Sequence, residues 1–217
     1  MIVAIDGPAG AGKSTVAKIL AQRMGFLYID TGAMYRALTL KAIQNNVNIQ
    51  DTTAVVELAK NTSIDLVHNP SGPLKVSIDG ADVSQKIREP RITKLVSDIA
   101  RIKGVREIML LLQRKLGQAG DVVLDGRDIG TVVFPDAERK FYIDAQFLER
   151  VNRRYKELLG SGQKITRDEI DADLRNRDTI DTTREVAPLR KAEDAIYIDT
   201  TTMSIEEVVN KVLTYIR

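Results

Sequence analysis

The sequence predicts an α/β protein, a five-stranded parallel sheet sandwiched by helices and carrying a small antiparallel β insertion. Three observations support this: five short β-rich runs alternate with helix-period stretches, a glycine-rich loop joins the first run to the first helix, and one region of short alternating segments breaks the order. At 217 residues the chain has room for one domain with a modest insertion, and residues 1–217 are taken as a single unit.

In chain order, Ile2 to Asp6 (IVAID) reads as a buried strand, and Lys13 to Met24 as a helix that stops at Gly25. Phe26 to Ile29 is the second strand. Between Ser63 and Ser84, IDLVH and LKVSI alternate in polarity and the turn signals NPSG and DG follow them, so an antiparallel excursion is expected. A helix from Val105 to Leu116 is bounded by Gly104 and Gly117. Val122 to Asp125 and Lys140 to Ile143 are further buried strands, and Gly160, Ser161 and Gly162 form a hinge-like break between arginine-rich helical stretches. Ile196 to Asp199 is the last strand. Ser204 then opens the final helix, paired with Glu207 as a capping box.

Composition removes whole classes of chemistry. Without cysteine there is no disulfide, thiolate metal site or cysteine nucleophile, and any histidine-based hydrolase would rest on His68, which falls in the inserted hairpin and is read as a surface or turn residue. Asp, Glu, Lys, Arg, hydroxyls and backbone N–H groups remain. The 32 Lys and Arg against 30 Asp and Glu leave +2, which argues against a bulk polyanion surface but permits a local basic cleft. Six tyrosines, four phenylalanines and no tryptophan disfavour a stacking platform for single strands, so no nucleic-acid partner is expected. No apolar run approaches the roughly 18 residues of a membrane span, and MIVAID lacks a basic leader region. No membrane partner and a cytoplasmic location are expected.

Residues 7 to 14, GPAGAGKS, complete the pattern G-x-x-x-x-G-K-[ST]. Such a loop (Gly7, Pro8, Ala9, Gly10, Ala11, Gly12, with Lys13, Ser14 and Thr15 opening the helix) wraps a phosphate in backbone N–H groups, and a Cβ at the glycines would block the approach. Lys13 can reach the β and γ phosphates and the Ser14 hydroxyl can ligate Mg²⁺. VVLD ends in Asp125, the form of a metal-side acid acting through water, although many buried strands end in Asp as a cap. A base-reading N-K-x-D motif is missing, since Asn210, Lys211, Val212 and Leu213 lack the acid, and a motor ATPase would need more chain. A small-substrate kinase is favoured, with other acceptors such as UMP or shikimate, or a non-catalytic nucleotide sensor, as rivals.

DTGAMYR at 30–36, DGRDIGTVVFPDA at 125–137, REVAPL at 184–189 and the IDTT string around Asp199 to Thr201 resemble the bacterial cytidylate kinase family, nearly end to end and with its antiparallel insertion. The resemblance implies a P-loop kinase fold and phosphoryl transfer from ATP, with Mg²⁺, to CMP and dCMP, giving ADP and CDP or dCDP. It implies a core at about 1–29, 105–149 and 166–217, a monophosphate-binding region with the insertion at about 30–104, and a short helical lid at about 150–165. A monomer is expected, although the sequence gives no direct handle on assembly.

The same resemblance places Arg150, Arg153 and Arg154 in the lid against ATP; a plain solvated helix face is the alternative for Arg150 and Arg154, spaced i,i+4. It assigns Ser97, Arg106 and Asp128 to the cytosine base, although spacing alone would make Ser97 and Arg106 surface residues of two helices. Thr31, Tyr35, Arg36 and Arg127 fall to the acceptor nucleotide and its phosphate, where an arginine fork bonds two oxygens at once. Asp181 matches the sugar contact, with Arg177 and Arg184 serving the sugar, the acceptor phosphate or the transferred group; an ion-paired helix end is the alternative for the three. Lys13, Arg127, Arg177 and Arg184 are the expected catalytic cations.

Overall fold

Strand β1 (Ile2–Asp6) is the centre of the sheet because its residues are buried on both faces, as a helix-covered parallel strand must be. The computed structural model describes residues 1–67, 74–118 and 120–216. Next come β2 (Leu27–Asp30), β3 (Ile64–Val67), β4 (Lys75–Ile78), β5 (Ala81–Asp82), β6 (Val122–Gly126), β7 (Arg139–Asp144) and β8 (Ile196–Asp199). The main sheet runs β2-β6-β1-β7-β8 with every pair parallel. All five strands expected from the sequence are present, the second beginning at Leu27 rather than Phe26.

Strand register determines where chemistry collects. Asp6 lies opposite Gly126 and Asp30 opposite Asp125, so three carboxylates end neighbouring strands at the same edge of the sheet. Ligand sites of parallel sheets lie outside that edge.

The described residues form eight α-helices: α1 (Lys13–Met24), α2 (Thr31–Gln44), α3 (Thr52–Lys60), α4 (Pro90–Ala100), α5 (Lys103–Gly117), α6 (Phe147–Gly160), α7 (Arg167–Thr183) and α8 (Ile205–Ile216). On one face Val16, Leu20, Val209 and Val212 of α1 and α8 pack with Ile5, Phe141 and Ile198 of the strands. The largest cluster joins α2, α3, α4 and α5 to Ile64, Val76 and Ile78 of the inserted sheet, ordered β3-β4-β5 and antiparallel as expected. His68 and the NPSG turn lie outside the described residues.

Helix ends follow local chemistry. Gly25 closes α1 in the left-handed region at φ 69°, and Ser204 and Glu207 form the expected capping interactions. One boundary differs from expectation: Gly104 and Gly117 are inside α5 rather than flanking it. They serve close packing, since a Cβ would come 2.7 Å from Val56 at Gly104 and 2.3 Å from Phe134 at Gly117.

Candidate active site

The loop between β1 and α1 is shaped by glycines that other residues could not replace. At Gly7, φ is +147° and a Cβ would sit 1.9 Å from the Ile143 carbonyl oxygen; at Gly12, φ is +92°. The loop therefore turns tightly against β7 and delivers the N-terminus of α1, an anion-binding position, to the strand edge. Lys13 is buried there and its Nζ donates to the Pro8 carbonyl at 2.7 Å. Burial, followed by the nearby Arg127 charge, pushes the ammonium down to about 7. An anionic ligand would restore its full charge.

Beside it, Ser14 Oγ donates to Asp125 Oδ2 at 2.6 Å, and the Tyr28 hydroxyl donates to Oδ1 at 2.8 Å. Burial, then Asp30 on the adjacent strand, raises the Asp125 carboxyl above its ordinary value. Thr31 donates to the Asp125 carbonyl at 2.6 Å, joining the start of α2 to the end of β6.

After β6 the chain passes through Arg127 and Asp128 into a π-helical turn, Ile129–Val133. This turn is held from β1: Asp6 accepts from the backbone N–H of Ile129 and of Gly130, both at 2.8 Å. Burial raises the Asp6 carboxyl to about 7, with the two N–H donors pulling it the other way. Asp128 is thereby presented to α5 and the end of α7. Arg106 Nη2 donates to Asp128 Oδ2, and Arg184 Nη2 lies 3.5 Å from Oδ1. Ser97 and Arg106 are buried at 5% and 6% exposure, which rules out the surface reading that spacing favours. Tyr35 lies beneath, with the Arg106 guanidinium 5.6 Å from its ring centre; burial pushes its hydroxyl up to about 12.

A cationic wall faces this pocket. Arg127 Nε donates to Asp181 Oδ2 at 2.7 Å, and Arg184 Nη1 is 3.7 Å from Asp181 Oδ1. Burial alone would raise the Asp181 carboxyl, but Arg127 and Arg184 hold it below its ordinary value. Burial, then Arg127, lowers Arg177 to about 10. Arg36 donates to Asp30 at 2.9 Å. The Nε atoms of Arg36, Arg106 and Arg177 are buried without a partner among the described residues.

The three expected lid arginines do different things. Arg153 donates to the Thr200 hydroxyl and carbonyl at 2.9 and 2.5 Å, and Arg154 pairs with Glu157 at 2.8 Å; both line the cleft. Arg150 instead lies behind the phosphate loop, buried, with Nη1 bonded to the Ala9 carbonyl at 3.0 Å and to Asp178 at 2.7 Å. It braces the loop from outside the cleft. Sequence reasoning missed Asp6, Tyr28 and Asp178; of these only Asp6, an acid closing an apolar strand directly before the glycine loop, carries a local signal.

One continuous cleft runs from the phosphate loop, past Asp125 and Arg127, to Ser97, Arg106 and Asp128. The family profile for cytidylate kinase matches residues 3–217. A cytidylate kinase of Bacillus velezensis is 51% identical over 97% of this chain and 94% of its own, and one of Clostridioides difficile is 47% identical over 100% and 98%. Among solved structures, a shikimate kinase from Bacteroides thetaiotaomicron superposes with a TM-score of 0.50 at 12% identity, covering 100% of this chain and 98% of that one; at this identity the likeness concerns the fold alone. With a profile match over nearly its whole length and relatives at about half identity, the chain belongs to the cytidylate kinase family.

Proposed function

We propose that the chain transfers the γ-phosphoryl group of ATP to CMP and dCMP, with the phosphate loop holding ATP and the pocket around Asp128 holding the acceptor. The observation that carries this reading is the buried Asp128 flanked by Arg106 and Arg184 at one end of a cleft whose other end is the Lys13 loop. Cytosine presents an N4 amino donor beside the N3 and O2 acceptors. A carboxylate accepts from the first and an arginine donates to the second. Uracil, with O4 and a protonated N3, would set an oxygen against Asp128 and leave buried polar groups unpaired.

The acceptor needs no strong general base, because its phosphate has a second pKa of about 6 and is largely dianionic at neutral pH. Repulsion between two polyanions is the obstacle. Lys13 at the loop and Arg127, Arg177 and Arg184 line this same cleft, and in this reading they neutralise charge and hold the in-line geometry. Arg36 grips the acceptor phosphate near Tyr35 and Thr31, and Asp181 receives the sugar hydroxyls. In this reading the monophosphate region spans about 30–104. The lid lies at about 150–165, carrying Arg153 and Arg154 over ATP, and the remainder is core.

The donor set fits Mg²⁺. Ser14 and Asp125 offer a hydroxyl and a carboxylate side by side, hard oxygens of the kind a strongly hydrated ion takes alongside substrate phosphates. Bound there with ATP, Mg²⁺ would offset the negative charge of the phosphates. Ser14 would hold it directly and Asp125 through water. No helix among the described residues is long and apolar enough to cross a membrane. A cytoplasmic location and monomeric action belong to the same reading.

The test is ADP release from Mg-ATP with CMP, dCMP, UMP, AMP or no acceptor. Rapid release with CMP and dCMP and background release with AMP or no acceptor are expected. Release independent of any acceptor would contradict the reading.

A further inference from the structure

We propose that Tyr28 is a positioning residue for the metal-side carboxylate: its hydroxyl fixes the Asp125 orientation that faces Ser14 and so sets how strongly Mg²⁺ tightens ATP binding. The inference rests on the metal-side reading of Asp125 given above. Tyr28 lies on β2, next to β6, two residues before the Asp30 that pairs in register with Asp125. Its ring is buried in the cluster shared by α1 and the sheet. The hydroxyl extends past that cluster to Asp125 Oδ1 at 2.8 Å, while Ser14 takes Oδ2 at 2.6 Å.

Each oxygen of one buried carboxylate thus receives one hydroxyl, from two different elements. The Thr31 hydroxyl holds the backbone carbonyl of the same residue. The side-chain torsions of Asp125 are therefore set by Tyr28 and Ser14 together. The Ser14 hydroxyl is the protein's own candidate metal ligand, so the Tyr28 bond is the one that can stay in place when the metal arrives. Without it, Oδ1 would be a bare carboxylate oxygen beside the strand that carries Asp30. Core packing alone would be met by phenylalanine, so the hydroxyl is the informative atom. Outer partners of a metal's ligands typically contribute 10- to 100-fold in metal affinity; Asp125, acting through water, is such a partner, and Tyr28 acts through it, so the lower end of that range is expected.

The experiment compares the native chain with Tyr28→Phe and Asp125→Asn, measuring ATP affinity by calorimetry in EDTA and in Mg²⁺, and the Mg²⁺ dependence of turnover. For Tyr28→Phe, metal-free ATP affinity should match the native chain, while the gain conferred by Mg²⁺ falls about tenfold and half-maximal turnover needs about tenfold more Mg²⁺. Asp125→Asn should lose at least as much of that gain. A native gain in Tyr28→Phe with a reduced gain in Asp125→Asn overturns the Tyr28 role and leaves the metal-side reading standing. A native gain in both overturns both. Equal weakening of ATP with and without metal makes Tyr28 a packing residue only and also overturns the proposal, as does a loss in Tyr28→Phe that Asp125→Asn does not share.

Discussion

Lys13→Ala is expected to lower kcat for phosphoryl transfer by at least about a thousandfold while the far-ultraviolet circular dichroism spectrum stays native. The size of the effect follows from where the other cations are. Arg127 is committed to Asp181 at 2.7 Å and Arg150 is locked behind the loop to the Ala9 carbonyl and Asp178, so neither can move into the place of Lys13. The ammonium itself makes one bond, to the Pro8 carbonyl, and burial with Arg127 nearby disfavours its charge despite Asp125, Asp181 and Asp6, until a polyphosphate arrives. The fold should tolerate the change, because removing a poorly compensated buried charge relieves a desolvation cost. Stopped-assay ADP release and a thermal melt check the two halves. Near-normal turnover would contradict the role of the loop.

Asp128→Ala is expected to reduce kcat/KM for CMP about a hundredfold more than for UMP, as loss of a charged hydrogen bond to the N4 amino group should. It also leaves Arg106 and Arg184 buried without the carboxylate between them, so the melting temperature should fall. Asp128→Asn separates the two effects. It keeps the shape, and its amide can donate to O4 of uracil, so the preference should move toward UMP with a smaller loss of stability. Steady-state kinetics with both acceptors decide. An equal fall for CMP and UMP in both variants would remove Asp128 from base reading.

The phosphate loop was legible because Gly7 and Gly12 take positive φ values that other residues rarely adopt, a demand of the local backbone. The inner strands were legible because burial on both faces leaves continuous apolar runs, whereas the edge strand β8 exposes Tyr197 and was legible from its short β-rich run alone. Ser97 and Arg106 were opaque to spacing because their burial comes from packing between distant segments, as where Arg106 of α5 meets Asp128 after β6; only the family resemblance pointed to them. Tyr28 gave no signal because its hydroxyl meets Asp125 across a strand pair 97 positions apart in sequence. Arg150 shows the limit of helix periodicity, which says which residues share a face and is silent on what covers it. At α5 the sequence reads the glycines as boundaries, whereas the approaches of Val56 and Phe134 require them within the helix.

The central proposal is that the buried Asp128 and Arg106 choose cytosine, and that Lys13 and the arginines lining the same cleft allow ATP to react with it. Direct competition tests it. CMP and UMP are supplied together at equal concentration with Mg-ATP, and the diphosphates are separated by anion-exchange chromatography during the initial phase. The account predicts that CDP dominates and that ADP forms in equal amount to the diphosphates. Equal yields of CDP and UDP, or ADP formed without either, would contradict it.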